Sequence, residues 1–370
     1  ASAGAIGFIS GLGELIGYSM RYLFGRITDR TRSYWPMVIL GYVLDIIAVP
    51  ALALVGEHGW IAACLLLVVQ RMGKAIKKPA KDTIMSFAAS QEGAGRSFGL
   101  QELLDQIGAF LGPVLLWLVM LGRTDASPIR TYSLCFAVLA IPGGITLLLL
   151  LYTRSRFPNP EQFEPEPKEY IPFRMKKSFI LYIAGISLFA FGFIDYSLIV
   201  MHISRTAAAL SGVAGLITEE TLPLLYAGAM LIDAVSALFF GFLYDRIGVR
   251  SLIFSTLLSS GFAVFVFSMH SVPALLVGIA LWGIGMGAQE SILKAAVSSM
   301  VPKSSRATGY GIFECSFGFF WFLGSWLMGA LYDFSIPAMV AVSVAAQLLS
   351  IPLYLASSRQ KIREEQPLHE

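Results

Sequence analysis

Long apolar runs, separated by short polar or charged stretches, repeat along the whole chain. Each run is about 20 residues long, enough for one α-helix to cross a hydrocarbon core of about 30 Å. Strands of a membrane barrel would instead alternate apolar and polar residues over about 10 positions. The pattern predicts an all-α polytopic membrane protein with eleven spans: Ala5–Phe24, Met37–Val55, Trp60–Ala80, Phe98–Leu121, Tyr132–Tyr152, Ser178–Ile203, Leu222–Phe242, Leu252–Met269, Val272–Ser298, Thr308–Leu331 and Pro337–Ala356.

A polar segment interrupts the apolar pattern once, near the middle of the chain. Residues 153–177 are rich in Pro, Glu, Arg and Lys and contain five prolines, so they can bury no core of their own. We therefore divide the chain into an N-terminal helical half (1–152), a linker (153–177), a C-terminal helical half (178–356) and a charged tail (357–370).

Composition supports a membrane protein and argues against several other classes. The 370 residues are 56% hydrophobic and only 14% charged, with a mean hydropathy of +0.70, whereas soluble domains carry about 25% charged residues. The four histidines are scattered, and no stretch has metal-ligand or nucleotide-binding spacing. We predict no metal, no cofactor, no nucleic-acid partner and a monomer in the lipid bilayer. The sequence also lacks a His-Glu helix pair or a Ser-Lys arrangement that would favour an enzyme.

The distribution of positive charge predicts the orientation. If the turn at residues 25–32 is cytoplasmic and the spans alternate, 20 Lys and Arg residues lie on the cytoplasmic side and three on the other. Cytoplasmic loops carry such an excess of Lys and Arg. We therefore expect the linker and the C-terminus to be cytoplasmic and the protein to lie in the cell membrane.

The second half of the chain repeats features of the first. Gly25, Asp29 and Arg30 recur as Gly241, Asp245 and Arg246, each 216 positions apart. Arg96, Gly99 and Gly108 recur as Arg306, Gly309 and Gly318, each 210 apart. The repeats predict two related halves. Because Ser178–Ile203 has no counterpart in the first half, we expect a natural form with twelve spans, of which the first is missing here.

The repeated turn resembles the signature loop of the major facilitator superfamily (MFS). Gly241, Asp245, Arg246, Gly248 and Arg250 match its Gly-x-x-x-Asp-Arg-x-Gly-x-Arg pattern. The earlier copy keeps Gly25, Asp29 and Arg30 but has Arg32 and Tyr34 at the last two motif positions. The resemblance implies the MFS fold of two pseudo-symmetric six-helix halves. A carboxylate at such a turn can hold a neighbouring helix N-terminus as a conformational latch; the alternative is a turn that only keeps charge on the cytoplasmic side.

A second pattern lies in the span Phe98–Leu121. Gly99, Gly108, Gly112 and Pro113 partly match the fifth-helix motif of proton-linked exporters of this superfamily, although Leu116-Trp117 replace the Gly pair that follows it. Small residues let helices approach closely, and proline bends a helix. The resemblance favours export; the alternative is ordinary small-residue packing.

Charged and polar residues inside the spans are the candidate cargo or proton sites, because each costs about 2.5–3.5 kcal/mol at mid-membrane. The resemblance implies that Trp60–Ala80, Ser178–Ile203 and Val272–Ser298 line the central cavity. The candidates are Gln70, Arg71, Asp195, Gln289, Glu290 and, from the earliest span, Glu14. Glu290 and Lys294 are four positions apart, which predicts an ion pair along one helix face.

These observations favour a secondary active transporter that works by alternating access, with a small-molecule cargo and a proton as the coupling ion. Export by proton exchange is the first hypothesis, and uptake by proton symport is the second. A transporter-like sensor or scaffold that moves nothing is the third. A scaffold should tolerate loss of the mid-span carboxylates, whereas a proton-coupled carrier should not.

Overall fold

The computed structural model describes residues 3–55, 59–89, 93–121, 128–163, 174–206, 222–269 and 271–365. These residues form α-helices and short 3₁₀ turns, and no β-strand occurs among them. The helices are α1 (Ala3–Thr31), α2 (Tyr34–Ala51), α3 (Trp60–Ala89), α4 (Ala94–Leu121), α5 (Pro128–Val138), α6 (Ala140–Arg156), α7 (Lys177–Gly192), α8 (Tyr196–Thr206), α9 (Leu222–Ile247), α10 (Ser251–Ser260), α11 (Phe262–Ser268), α12 (Val272–Met300), α13 (Arg306–Phe334) and α14 (Ile336–Glu365). The predicted all-α class is confirmed.

Three predicted spans are broken helices. Helices α5 and α6 meet at Leu139, and α10 and α11 meet at Gly261. Helices α7 and α8 are separated by Phe193–Asp195, where the Asp195 Oδ1 accepts a hydrogen bond from the Ser197 backbone N–H at 2.9 Å. Asp195 therefore supports the start of α8, as an N-terminal carboxylate does.

Seven helical stretches in the described part of the chain are long and apolar enough to cross a membrane, so the predicted count of eleven is not confirmed. They are Tyr34–Leu54, Ser133–Arg156, Lys177–Thr206, Leu225–Ser268, Val272–Met300, Lys303–Phe334 and Ile336–Glu364. One of them takes in all of α10 and α11 and most of α9. Helices α1, α3 and α4 carry charged residues such as Arg21, Arg71 and Glu102 in their interiors, which lowers their hydropathy.

Two pairs of helices join the first and second halves of the chain. Helix α1 packs on α13, and α4 packs on α9. A Cβ atom on Gly25 would lie 2.2 Å from the Ala307 carbonyl oxygen, and one on Gly241 would lie 2.3 Å from the Gly95 carbonyl oxygen. Glycine is therefore required at both crossings, since a real side chain would force the backbones apart.

The structural repeat differs by two residues from the predicted one. Gly95 and Ala307, which occupy equivalent places in the two crossings, are 212 positions apart, and so are the starts of α4 and α13. The expected offset of 210, which matched Gly99 with Gly309, is wrong. Gly99 instead corresponds to Gly311. The positions of the two residues relative to the starts of α4 and α13 determine which of them face the partner helix, and identical residue types at an offset of 210 do not.

Candidate functional site

The Asp29 carboxylate holds the N-terminus of α13. Its Oδ1 accepts from the Ala307 backbone N–H at 3.1 Å and its Oδ2 from the Thr308 N–H at 2.6 Å. These N–H groups belong to the first turn of α13, where no carbonyl within the helix is available to them, and the helix dipole favours a negative charge there. We call this arrangement the Asp29 contact.

The Asp245 carboxylate makes the equivalent contact with α4. Its Oδ1 and Oδ2 accept from the backbone N–H groups of Gly95 and Arg96 at 2.7 and 2.8 Å. We call this the Asp245 contact, and we call the ends of the helices near residues 25–32 and 241–250 the charged-turn side. Both contacts join the two halves of the chain on this side, which is therefore closed.

The remaining signature residues do not take part in the two contacts. Arg30, Arg246 and Arg250 are exposed. Gly248 has a φ of +64°, a left-handed conformation that favours glycine and turns the chain between α9 and α10. The glycines therefore have steric functions, whereas the arginines remain at the surface.

The two carboxylates differ in exposure. Asp29 is buried, and Asp245 is exposed. Asp29 lies beyond the apolar part of α1, and its burial raises its pKa to about 6, although the hydrogen bonds from Thr308 and Ala307 oppose this shift. The Asp29 contact can therefore take up a proton at mildly acidic pH.

Mild acidification should favour the closed arrangement through Asp29. The pKa of Asp29 is raised when the contact is made, so protonation of Asp29 stabilises the closed arrangement. This stabilisation is complete below the ordinary pKa of 3.8 and is lost as the pH rises through about 6. Between about pH 7 and pH 5 the ratio of closed to open protein should rise about tenfold from this group. Distances between nitroxide labels at Thr31 and Arg359, on a background with the three cysteines replaced by alanine, would report it. Asp29→Asn should lose this contribution; an unchanged pH response in that variant would contradict the assignment.

A cluster of ionisable groups lies between α4, α9 and α12. Lys294 Nζ donates to Glu102 Oε2 at 3.1 Å, and Glu102 is only 1% exposed. Gln106 Nε2 donates to Glu102 Oε1 at 3.0 Å and to Asp233 Oδ2 at 3.3 Å. We call these four residues the acid cluster.

A second group of charges links α1, α3 and α13. Glu314 Oε1 lies 3.2 Å from Arg21 Nη1 and 3.4 Å from Lys78 Nζ. Asp82, on α3, is fully buried, and its carboxylate has no hydrogen-bond partner in the described part of the chain. Asp82 also interacts electrostatically with Lys294, which connects the two groups of charges.

A small cavity lies where the two groups of charges approach each other. Its volume is about 40 Å³, which is room for about three water molecules. Aromatic, apolar and charged side chains all line it: Tyr18, Lys78, Phe189, Met286, Gln289, Glu290, Leu293, Lys294, Phe313, Glu314, Phe317 and Trp321. Gln289 is 2% exposed, and neither atom of its amide has a hydrogen-bond partner among the described residues. The small cavity thus combines ionisable groups with an amide that has no partner among the described residues.

The structure brings together only some of the predicted site residues. Gln289 and Glu290 line the central cavity, whereas Gln70 is half-buried and Arg71 exposed on α3, and neither is among the described lining residues. Asp195 supports the start of α8 and is likewise absent from the described lining. The Glu14 side chain lies outside the described part of the structure.

The predicted pair of Glu290 with Lys294 is not the ion pair that forms, because the Lys294 ammonium points to Glu102 of α4. In the fifth-helix pattern, Gly99 packs closely on the Ala237 carbonyl oxygen, but a Cβ on Gly108 or Gly112 would meet none of the described atoms within 4 Å. Pro113 lies within α4, and its side chain is outside the described part.

Glu102, Asp233 and Glu314 belong to these groups of charges but are not among the candidates that the sequence indicates. All three are charges inside predicted spans. They lie on spans that the family resemblance does not place around the central cavity. Charge inside a span was the better signal, since a buried charge must find a partner wherever its helix lies.

Comparison with known proteins identifies the class. The sequence profile of the Major Facilitator Superfamily matches residues 1–219 and 206–370. The chain therefore belongs to the Major Facilitator Superfamily, a family of membrane transporters, and the predicted fold is confirmed.

Individual relatives agree with this assignment. The uncharacterized protein Rv2265 of Mycobacterium tuberculosis (strain ATCC 25618 / H37Rv) is 35% identical over 366 residues, which cover 96% of this chain and 86% of the relative. The uncharacterized MFS-type transporter MJ1317 of Methanocaldococcus jannaschii is 27% identical over 341 residues, covering 90% and 80%. The proton:xylose symporter XylE, bound to 6-bromo-6-deoxy-D-glucose, superposes with a TM-score of 0.69 at 12% identity over 98% of this chain and 87% of its own. This last likeness is one of fold alone.

Proposed function

We propose that the protein is a secondary active transporter that exchanges protons for a small organic molecule by alternating access. The observation that carries this proposal is the pair of equivalent contacts made by Asp29 and Asp245. Both close the charged-turn side between the two halves, and both can break without disturbing either half. We assign them the function of latches, with the charged-turn side cytoplasmic.

The central cavity supports a cargo and proton site. Its volume of about 40 Å³ is too small for an organic cargo, so cargo binds in a conformation in which the halves have separated. Gln289 is the proposed cargo contact, because its buried amide offers a donor and an acceptor that nothing described here uses. Glu290 is the proposed proton carrier, whereas we assign Asp195 a structural function.

Export is the proposed direction, with the protein a monomer in the cell membrane. Its support is the small-residue pattern of α4, in which Gly99 gives the close approach to α9 that the resemblance to proton-linked exporters implies. Uptake by symport uses the same cavity, and the direction in which protons move would distinguish the two.

Transport in proteoliposomes should show proton movement that depends on the compound added and on Glu290. The reconstituted protein would be given ethidium, benzoate, D-xylose and L-tryptophan in turn, with a pH-sensitive dye enclosed. We expect at least one compound to move protons opposite to itself, and Glu290→Gln to abolish the signal while Asp195→Asn keeps it. Protons that move with the compound would replace export by symport. An unchanged signal in Glu290→Gln would remove Glu290 from the mechanism, and silence across a widened panel would favour a scaffold.

A further inference from the structure

Two residues just after α1 depart from the signature pattern, and both line a second cavity. Arg32 stands where Gly248 stands in the later copy, and Tyr34 stands where Arg250 stands, each 216 positions apart. The cavity has a volume of about 300 Å³, which is enough for a small ligand or the headgroup of a lipid. We call it the Arg32 cavity, and its lining includes Arg32, Tyr34, Trp35, Arg154, Pro160 and Glu161.

Arg32 has the left-handed backbone conformation that glycine has in the later turn. Its φ is +51°, against +64° for Gly248, and it is the one non-glycine residue with a positive φ in the described part of the chain. This conformation is unfavourable for residues that carry a Cβ atom. Such strain persists only where the surrounding structure maintains it, and it is concentrated at functional sites. The strain at Arg32 therefore points to a function of its side chain, which lines the cavity.

Hydrogen bonds and ring contacts hold the other walls of the Arg32 cavity in place. Trp35 Nε1 donates to the Phe157 carbonyl oxygen at 2.9 Å, which joins the start of α2 to the end of α6. The centres of the Phe157 and Phe163 rings lie 5.4 Å apart. Lys303 Nζ donates to the Glu161 carbonyl oxygen at 2.9 Å. The cavity is thus a formed site between α2, α6 and the 3₁₀ turn that follows α6.

The Arg32 cavity lies at the edge of the lipid-facing surface of α6. Leu148 and Leu149 are 70% and 60% exposed, and Tyr152 is 58% exposed, so the helix presents an apolar face to the lipid. Arg154 follows two residues after Tyr152, and α6 ends at Arg156. Aromatic and basic side chains at the end of an apolar helix lie at the level of the lipid headgroups. The cavity is therefore at the membrane surface on the charged-turn side.

The charges around the Arg32 cavity favour an anionic ligand. Its lining contains the two guanidinium groups of Arg32 and Arg154 and the one carboxylate of Glu161, which leaves a net charge of +1. A guanidinium group matches the geometry of phosphate oxygens, to which it can donate two hydrogen bonds. Free phosphate and the phosphodiester of a lipid share this chemistry. The position beside the lipid-facing surface of α6 favours the lipid.

We propose that the Arg32 cavity binds the headgroup of an anionic phospholipid, with Arg32 and Arg154 at its phosphate. Basic pockets between transmembrane helices bind acidic headgroups in this way. The bound headgroup joins the turn between α1 and α2 to the end of α6. This inference concerns the lipid around the protein, and it goes beyond the proposed transport because it holds whether or not a cargo moves.

Native mass spectrometry of the purified protein with added phosphatidylglycerol would test this site. We expect one saturable site that phosphatidylcholine does not fill. Arg154→Gln should weaken the binding at least about tenfold, because a charge-assisted hydrogen bond is lost. The matched control is Arg156→Gln, since Arg156 is two positions away but donates to the Tyr152 hydroxyl at 3.2 Å and is not among the described lining residues. Only a diffuse attraction is lost there, so the binding should weaken at most about fivefold.

The variant Arg32→Gly separates a loss of binding from a loss of folding. Glycine suits the left-handed conformation, so this variant should unfold at the wild-type temperature or above it and still bind the lipid at least about tenfold more weakly. Unchanged binding in Arg32→Gly would overturn the proposal, and so would equal losses in Arg154→Gln and Arg156→Gln. Inorganic phosphate that displaces the lipid at equal concentration would assign the cavity to free phosphate instead.

Discussion

The double substitution Asp29→Asn with Asp245→Asn should reduce turnover at least about a hundredfold. Each carboxylate accepts from two backbone N–H groups. A protonated carboxyl group still has an oxygen facing each of them, whereas the asparagine amide has one acceptor oxygen and turns its NH₂ group toward the second N–H donor. A hydrogen bond to a charged group is worth about 1.5–3 kcal/mol, and each 1.4 kcal/mol is a factor of about 10 in an equilibrium. Because the two contacts share no residue, their effects should add.

The measurement combines the label distances with transport of any cargo that the proteoliposome panel identifies. Each single variant should lose about tenfold of the closed population, and the double variant should lose the short distance altogether while expressing at a normal level. Asp333→Asn serves as the surface control. A double variant that keeps the wild-type distance distribution would show that the two contacts are not latches.

Alanine at Gly25 or Gly241 should open the charged-turn side for a steric reason. The added Cβ would lie 2.2 Å from the Ala307 carbonyl oxygen or 2.3 Å from the Gly95 carbonyl oxygen. Both obstacles are backbone atoms, so the helices must move apart. Overpacking of this kind costs about 1–3 kcal/mol, so the closed population and the turnover should fall by about 5-fold to 150-fold.

Matched controls for this prediction lie on the same two helices. Among the described residues, a Cβ on Gly17 of α1 or Gly228 of α9 would meet nothing within 4 Å. Gly17→Ala and Gly228→Ala should therefore transport within about twofold of wild type and show its label distances, because a Gly→Ala change within a helix that meets no neighbour gains about 1 kcal/mol at most. Equal losses in Gly228→Ala and Gly241→Ala would point to a general helix effect and contradict the steric explanation.

Local features of the sequence were sufficient to predict the fold class and the two contacts. The apolar runs specify transmembrane helices, because the backbone can satisfy its hydrogen bonds in a bilayer only within regular structure. Asp29 and Asp245 stand out as charges at the ends of such runs, each four positions after a glycine. The sequence pattern therefore contained both the carboxylate that makes each contact and the glycine that lets the two helices approach closely enough for it.

The partners of the buried charges could not be predicted in the same way. Glu290 and Lys294 are on one helix and four positions apart, so a local rule pairs them. In the folded chain Lys294 instead pairs with Glu102, which is 192 positions away. The i, i+4 spacing along a helix identifies only possible ion pairs. The packing of α4 against α12 determines which ion pair forms.

The sequence by itself determined the helical class, the family and the glycine and aspartate positions of the two contacts, because these depend on local hydrophobicity and short spacing. The tertiary structure alone decided that the repeat offset is 212, that Arg71 is exposed and that Glu102 receives the Lys294 hydrogen bond. The physical reason is that helix periodicity specifies which residues share a face, whereas side chains from distant segments determine where that face points.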